Sequence, residues 1–161
     1  MDPVIFVEYA LLYSARQEVP VEHYTLPLGV ADLKRDGGDV TIIAYSRMVQ
    51  VALTAASTLA TEGIDAAVID LRTLRPLDTE TVIASVKKTH RAIVVEETWL
   101  TGGFAGEIAS LIHENAFDYL DAPVMRIAGA DVPTPYTSVL EQLAFPDPPR
   151  VVKGVHSILG R

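Results

Sequence analysis

The chain has no cysteine, which excludes a disulfide framework and a thiolate metal site and leads to an expectation of a reducing compartment, the cytoplasm. It also lacks long apolar runs. The longest, such as VTIIA and AIVV, fall far short of the roughly 20 residues of a membrane-spanning helix. No basic region precedes an apolar stretch at the N-terminus, so a soluble, unexported protein with no membrane partner is expected. Cationic clusters are scarce as well. Nothing larger than KR or KK interrupts a net charge of −8, and the resulting field repels phosphate backbones, which argues against nucleic acid as a partner. There is no HExxH pair, no Walker loop and no GxGxxG turn, and the four histidines, His23, His90, His113 and His156, are scattered. They read as surface or loop residues, and no metal site is expected. No stretch repeats at a fixed period, and no charge block is long enough for a disordered tail.

What remains is a globular composition, 49% hydrophobic and 21% charged over 161 residues, enough for one domain with a core and a short extra arm. From residue 40 onward, short β-branched apolar runs alternate with helical patterns, the signature of βαβ units and a parallel sheet covered on both faces. The strands expected are VTIIAYS (40–46), AAVIDLR (66–72), RAIVVEE (91–97) and VMRIAG (124–129). Between them, Met48, Val51, Ala52, Ala55 and Leu59 follow helical spacing up to a Gly63 C-cap. Asp78 is placed to cap TETVIASVKK, and Phe104, Ile108, Leu111 and Ile112 form the stripe of a third helix. TSVLEQLAF predicts a short helix, and Asp147 followed by Pro148 opens a last one with Val151, Val152, Val155, Ile158 and Leu159 inward. The first 39 residues differ. VIFVEY is strand-like, whereas SARQEVPVEHYTLPLG has little periodicity and two prolines, so it reads as an extended arm.

Several of these stretches resemble a known family. EVPVEHYTLPLGVADLKRDGGDVTIIAY, VIDLRTLRPLD, AIVVEETWLTGGFAGEIA and YLDAPVMRIAGADVPTPY are similar, in order and spacing, to the C-terminal part of the beta subunit of the thiamine-dependent decarboxylase component of 2-oxo acid dehydrogenase complexes. VIDLRTLRPLD resembles the stretch that the wider transketolase C-terminal-like domain carries after its second parallel strand. The resemblance implies an α/β fold of three layers, α/β/α, with a mostly parallel five-stranded sheet and one antiparallel edge strand supplied by VADLKR. A hairpin through DGGD, the local reading of that turn, ranks second. It further implies that residues 1–39 hold the exit strand of a pyrimidine-binding domain absent here, a linker arm and the edge strand, and that 40–161 form the transketolase C-terminal-like domain.

The functional implications follow the same resemblance. The whole enzyme would decarboxylate a 2-oxo acid, pyruvate or a branched-chain one, with thiamine diphosphate and magnesium, and transfer the acyl group to lipoyl. This segment would lack the cofactor-binding parts, so no cofactor is expected on it and no catalytic residue is assigned. LTGGF and EVPVEHY resemble branched-chain members, and GADVPTPY is closer to pyruvate members. The implied partners are an alpha subunit, a second beta subunit and the subunit-binding domain of the acyltransferase, which would dock on Asp121 and the terminal carboxylate of Arg161. The isolated chain is expected to self-associate as a dimer.

The residues themselves leave other readings open. Arg72 and Arg75 in LRTLRPLD serve either the local turn, with Asp78 as cap, or an interface with a partner. TGGFAGE at a helix start has the makings of an anion cradle, although tight strand-to-helix packing accounts for its glycines and is preferred. Glu96 and Glu97 are adjacent on a strand and point to opposite faces, so they cannot act as a facing acid/base pair, but either is available to bond a neighbouring subunit. The competing class is a stand-alone doubly wound nucleotide or phosphate binder. It would need a Gly-rich turn after the first strand, where this chain has AYSRMVQ, and a receiver-like signalling domain would need an acidic residue among Ala44, Tyr45 and Ser46.

Overall fold

The computed structural model describes residues 3, 5, 8–16 and 18–161. The strand expected over VIFVEY (4–9) lies in part outside the described residues, and those of it that are described, Ile5, Glu8 and Tyr9, are not in a strand; what precedes the domain is a 3-10 turn, Ala10–Ser14, and an exposed arm.

Five strands form one sheet: β1 (Asp32–Arg35), β2 (Val40–Ala44), β3 (Ala66–Asp70), β4 (Ala92–Trp99) and β5 (Met125–Gly129). Their order is β1-β3-β2-β4-β5, with β1 antiparallel to β3 and every other pair parallel. The mostly parallel sheet with one antiparallel edge strand, expected above, is the observed architecture. β1 does not pair with β2 through DGGD, so the local hairpin reading gives way. The tertiary reason is visible at β2, whose residues are all buried. It sits at the centre between β3 and β4 and has no free edge for β1.

Helices α1 (Met48–Thr61) and α5 (Pro148–Leu159) cover one face, where Ile42, Val68, Ile93, Val151 and Val155 meet. Helices α2 (Thr79–Thr89) and α3 (Phe104–Ala116) cover the other through Ile43, Val82, Val94 and Ile108. A short α4 (Ser138–Ala144) connects β5 to α5. Both faces being covered is why these strands are near-continuous apolar runs instead of alternating ones. The helix ends follow the sequence signals. Asp78 accepts from Thr81 N at 3.0 Å to cap α2, and Asp147 accepts from Arg150 N at 2.9 Å to cap α5 behind Pro148.

One boundary differs in a way that shapes the site. β4 continues through Thr98 and Trp99 instead of ending at Glu97. The ladder to β5 slips between Val95 and Trp99, where Trp99 pairs with Gly129, and this irregularity lets TW stay in the sheet before the glycine turn.

Candidate interaction site

The charged stretch after β3 holds the incoming chain. Arg72, with a left-handed φ of 56°, donates from Nη2 to Asp32 on β1 at 2.6 Å. Thr73 Oγ1 accepts from Gly29 N at 3.0 Å. Asp78 turns its second oxygen to Ala31 N at 2.9 Å while that oxygen also accepts from the Thr81 hydroxyl at 2.8 Å. Gly29 has φ +76°, and a Cβ there would stand 2.8 Å from Pro76 Cγ, so the chain passes over the proline only as glycine. The Lys34 ammonium and then the Arg72 guanidinium hold the Asp32 carboxyl below its usual range. Burial works against ionisation of Asp78, but the N–H groups of Thr81 and Ala31 outweigh it and lower that carboxyl too. The local explanation thus covers Arg72 and Asp78. It is a clamp on β1, with Arg72 bonded to the Asp32 carboxylate. Arg75 has no carboxylate partner among the described residues.

Glu96 and Glu97 diverge as the strand geometry requires. Glu96 is fully buried; one of its oxygens accepts from Tyr45 Oη at 2.9 Å and from Ala105 N, in the first turn of α3, at 3.0 Å. Burial and then this carboxylate push the Tyr45 phenol above its ordinary range. The other oxygen, Oε1, has no partner and lies against Gly103, where a Cβ would run into it and into Trp99 O. Gly106 N bonds Gly103 O at 3.2 Å. The helix start that resembles an anion cradle therefore already holds a carboxyl group of its own chain, and tight packing explains the glycine at 103. On the opposite side Glu97 accepts from Arg47 at 2.8 Å and from Tyr9 of the arm at 2.6 Å. Both partners come from this chain. Nothing local in the sequence marks Arg47 and Tyr9, because they lie 50 and 88 residues from Glu97.

Asp121 follows a short 3-10 turn, Phe117–Tyr119, and precedes β5. Its N–H donates to His90 O at 2.9 Å, and its carboxylate pairs with Arg91 Nη2 at 3.0 Å. Arg161 ends the chain after a left-handed Gly160 cap. α5 starts beside the C-terminal end of β5, where Arg150 bonds Ala128 O at 3.1 Å. It finishes beside the C-terminus of α1, where His156 pairs with Glu62 at 2.6 Å. That topology places Asp121 and Arg161 at the end where the parallel strands begin, whereas Arg72, Arg75 and Glu97 lie at the end where they finish. The four partner-binding candidates, Asp121, Arg161, Arg72 and Arg75, fall into two groups, not one.

The residues matched by the transketolase, C-terminal domain model are 29–151. The chain belongs to the transketolase C-terminal domain family. Curated relatives narrow the likeness. The pyruvate dehydrogenase E1 component subunit beta of Rickettsia felis is 46% identical over 98% of this chain. The mitochondrial subunit beta of Saccharomyces cerevisiae is 48% identical over 98%. The chain spans 48% and 44% of those proteins, about half their length. Among solved structures, a split-gene transketolase described as an inactive beta4 tetramer matches with TM-score 0.75 and 29% identity, covering 89% of this chain and 46% of that one. Among the described residues no helix is long and apolar enough to cross a membrane.

Proposed function

We propose that the chain is the C-terminal assembly part of a pyruvate-type 2-oxo acid dehydrogenase beta subunit. The observation that carries this reading is the 46% identity to the Rickettsia felis subunit across 98% of the chain, and it favours pyruvate over a branched-chain substrate. In the whole enzyme a 2-oxo acid is decarboxylated and its acyl group passed to lipoyl; the domain's part is association with an alpha subunit and a second beta subunit, in the cytoplasm. Thiamine diphosphate with magnesium is the cofactor this implies, and the residues present do not fit it. Ala105 N is taken by Glu96, and no group of three or more His, Asp or Glu side chains among the described residues could hold a metal. No step of the reaction is assigned to this chain, and the isolated chain should bind no thiamine diphosphate in calorimetry with magnesium present. Measurable sedimentation of a complex with a pyruvate dehydrogenase alpha subunit supports the assembly reading; failure to associate, even with the upstream half of the Rickettsia felis subunit supplied, overturns it.

Self-association belongs to the same reading. Trp99, Tyr136, Val139, Leu140 and Leu143 are all exposed, and large apolar side chains left exposed together offer surface for a partner. A dimer in sedimentation over a concentration range is expected, and a strict monomer counts against it.

Docking of the acyltransferase's subunit-binding domain on Asp121 and the terminal carboxylate completes the proposal. Arg91 already neutralises part of Asp121, so Asp121→Asn, which keeps the side chain's shape, is the cleaner variant. Loss of one partner of a desolvated charge pair costs roughly 2 to 5 kcal/mol, and a rim pair far less. Surface plasmon resonance with that domain at two salt concentrations should show weaker binding for Asp121→Asn and for a C-terminal amide; unchanged affinity in both removes the docking site.

A further inference from the structure

A groove of about 510 Å³ runs along the outer edge of β5, between that strand and α5. Its charged lining is mostly cationic: Arg126 on the strand, and Arg150 and Lys153 one turn apart on α5. The one carboxylate there, Asp131, is occupied by Thr101, from N at 3.1 Å and Oγ1 at 2.6 Å. None of the three cations forms an ion pair with a carboxylate among the described residues, although the chain carries a net charge of −8. Arg126 donates only to Leu100 O, at 3.1 Å. Arg150 donates to Phe145 O and Ala128 O, at 3.0 and 3.1 Å. Three cations against one carboxylate leave the groove with an excess of positive charge on an acidic molecule.

The backbone of the same edge is open. Gly129 O accepts from Leu100 N, the continuation of β4, at 3.3 Å, whereas Ala128 O accepts Arg150 from the opposite side. Successive residues of a strand turn their N–H and C=O groups to alternate sides. Arg126 N–H and C=O and Ala128 N–H therefore face the groove, with no partner for them among the described residues. Ala130 N is closed by Ala144 O at 2.8 Å, so the opening is short and lies at the start of β5. An unpaired edge is a template for an added strand.

We propose that this groove binds an acidic peptide segment in extended conformation, paired to β5 at Arg126 and Ala128. Alternate residues of such a segment point to the two sides of the sheet. Its carboxylates then meet Arg126 on one flank and Arg150 and Lys153 on the other, while Met125 and Ile127 offer apolar surface beneath.

The test is a titration of the ¹⁵N-labelled 161-residue chain, followed by NMR, with the capped peptide Glu-Glu-Val-Glu-Glu, which presents carboxylates on both sides of an extended strand, with Lys-Lys-Val-Lys-Lys, and with inorganic phosphate. The acidic peptide should shift the Arg126 and Ala128 amides and slow their exchange. Reversing charge in Arg126→Glu with Lys153→Glu should weaken that binding by about tenfold or more. Lys153→Glu alone, at a side chain with no bond to the rest of the chain among the described residues, keeps the test valid if the double variant fails to fold; it should weaken binding in the same direction. Equal binding of the basic peptide, an equal response to phosphate, or slow exchange of these two amides in the free chain overturns the proposal.

Discussion

The two edges of the sheet are built on opposite plans. At β1 nearly every charge is matched: Lys34 and Arg72 share Asp32, Arg35 meets Asp65, and Lys88 reaches Asp36. The stretch after β3 adds side-chain bonds to the backbone of Gly29 and Ala31. At β5 the cations have carbonyls, not carboxylates, and part of the backbone has nothing. β1 is the antiparallel strand that arrives from the arm, so it has no crossover helix to seat it and needs side chains to do so. β5 is seated by α3 and α5 on its two faces, and its outer edge can be left open without losing the strand. The first edge is closed by its own sequence; the second is available.

The comparison breaks most visibly at Asp78. Asp78→Ala removes the α2 cap and leaves Ala31 N unbonded, which should cost about 2 kcal/mol, near the upper end for a lost cap; urea unfolding checks it, and a loss below a few tenths would mean that water replaces the clamp. Arg150→Ala takes away two bonds to carbonyls at the far edge. About 1 kcal/mol is expected there, since backbone C=O groups at an open edge regain water readily, and the same unfolding series ranks the two. Asp32→Asn should cost less again, roughly 0.5 kcal/mol, because the pairs it makes are partly solvent-exposed.

Acid sharpens the contrast with the smallest effect on global stability. The folded-state pKa values of Asp32 and Asp78 are lowered. Their contribution is therefore complete above the unfolded value of about 3.9 and is lost as the pH falls through the folded values. Below about pH 4, hydrogen exchange at Ala31 and along β1 should accelerate, after correction for intrinsic rates, before it does at Ile127 of β5, which no such carboxylate holds. Simultaneous loosening of both edges would show that the clamp contributes nothing special to β1.

Much of the fold was legible because the signals are local. The apolar runs mark β2, β3, β4 and β5, Asp78 and Asp147 mark the starts of α2 and α5, and adjacent glutamates on one strand must diverge. The partner of β1 was not legible locally, since DGGD is a good turn by composition and only the burial of β2 on both sides denies it that pairing. The clamp was half visible. LRTLRPLD announced more charge than a turn requires, but its targets, Asp32, Gly29 and Ala31, lie 40 to 47 residues away.

By itself the sequence determined an acidic α/β domain, its element types and most of its caps, because periodicity and capping act within a few residues of the chain. Only the tertiary structure decided what the charges do. It set Arg72 on Asp32, filled the α3 start with Glu96, sent Asp121 and Arg161 to the opposite end from Arg72 and Arg75, and left Arg126, Arg150 and Lys153 together beside an open strand. Charge pairing depends on which distant segments the sheet order brings side by side, and that order is fixed by burying two apolar faces at once.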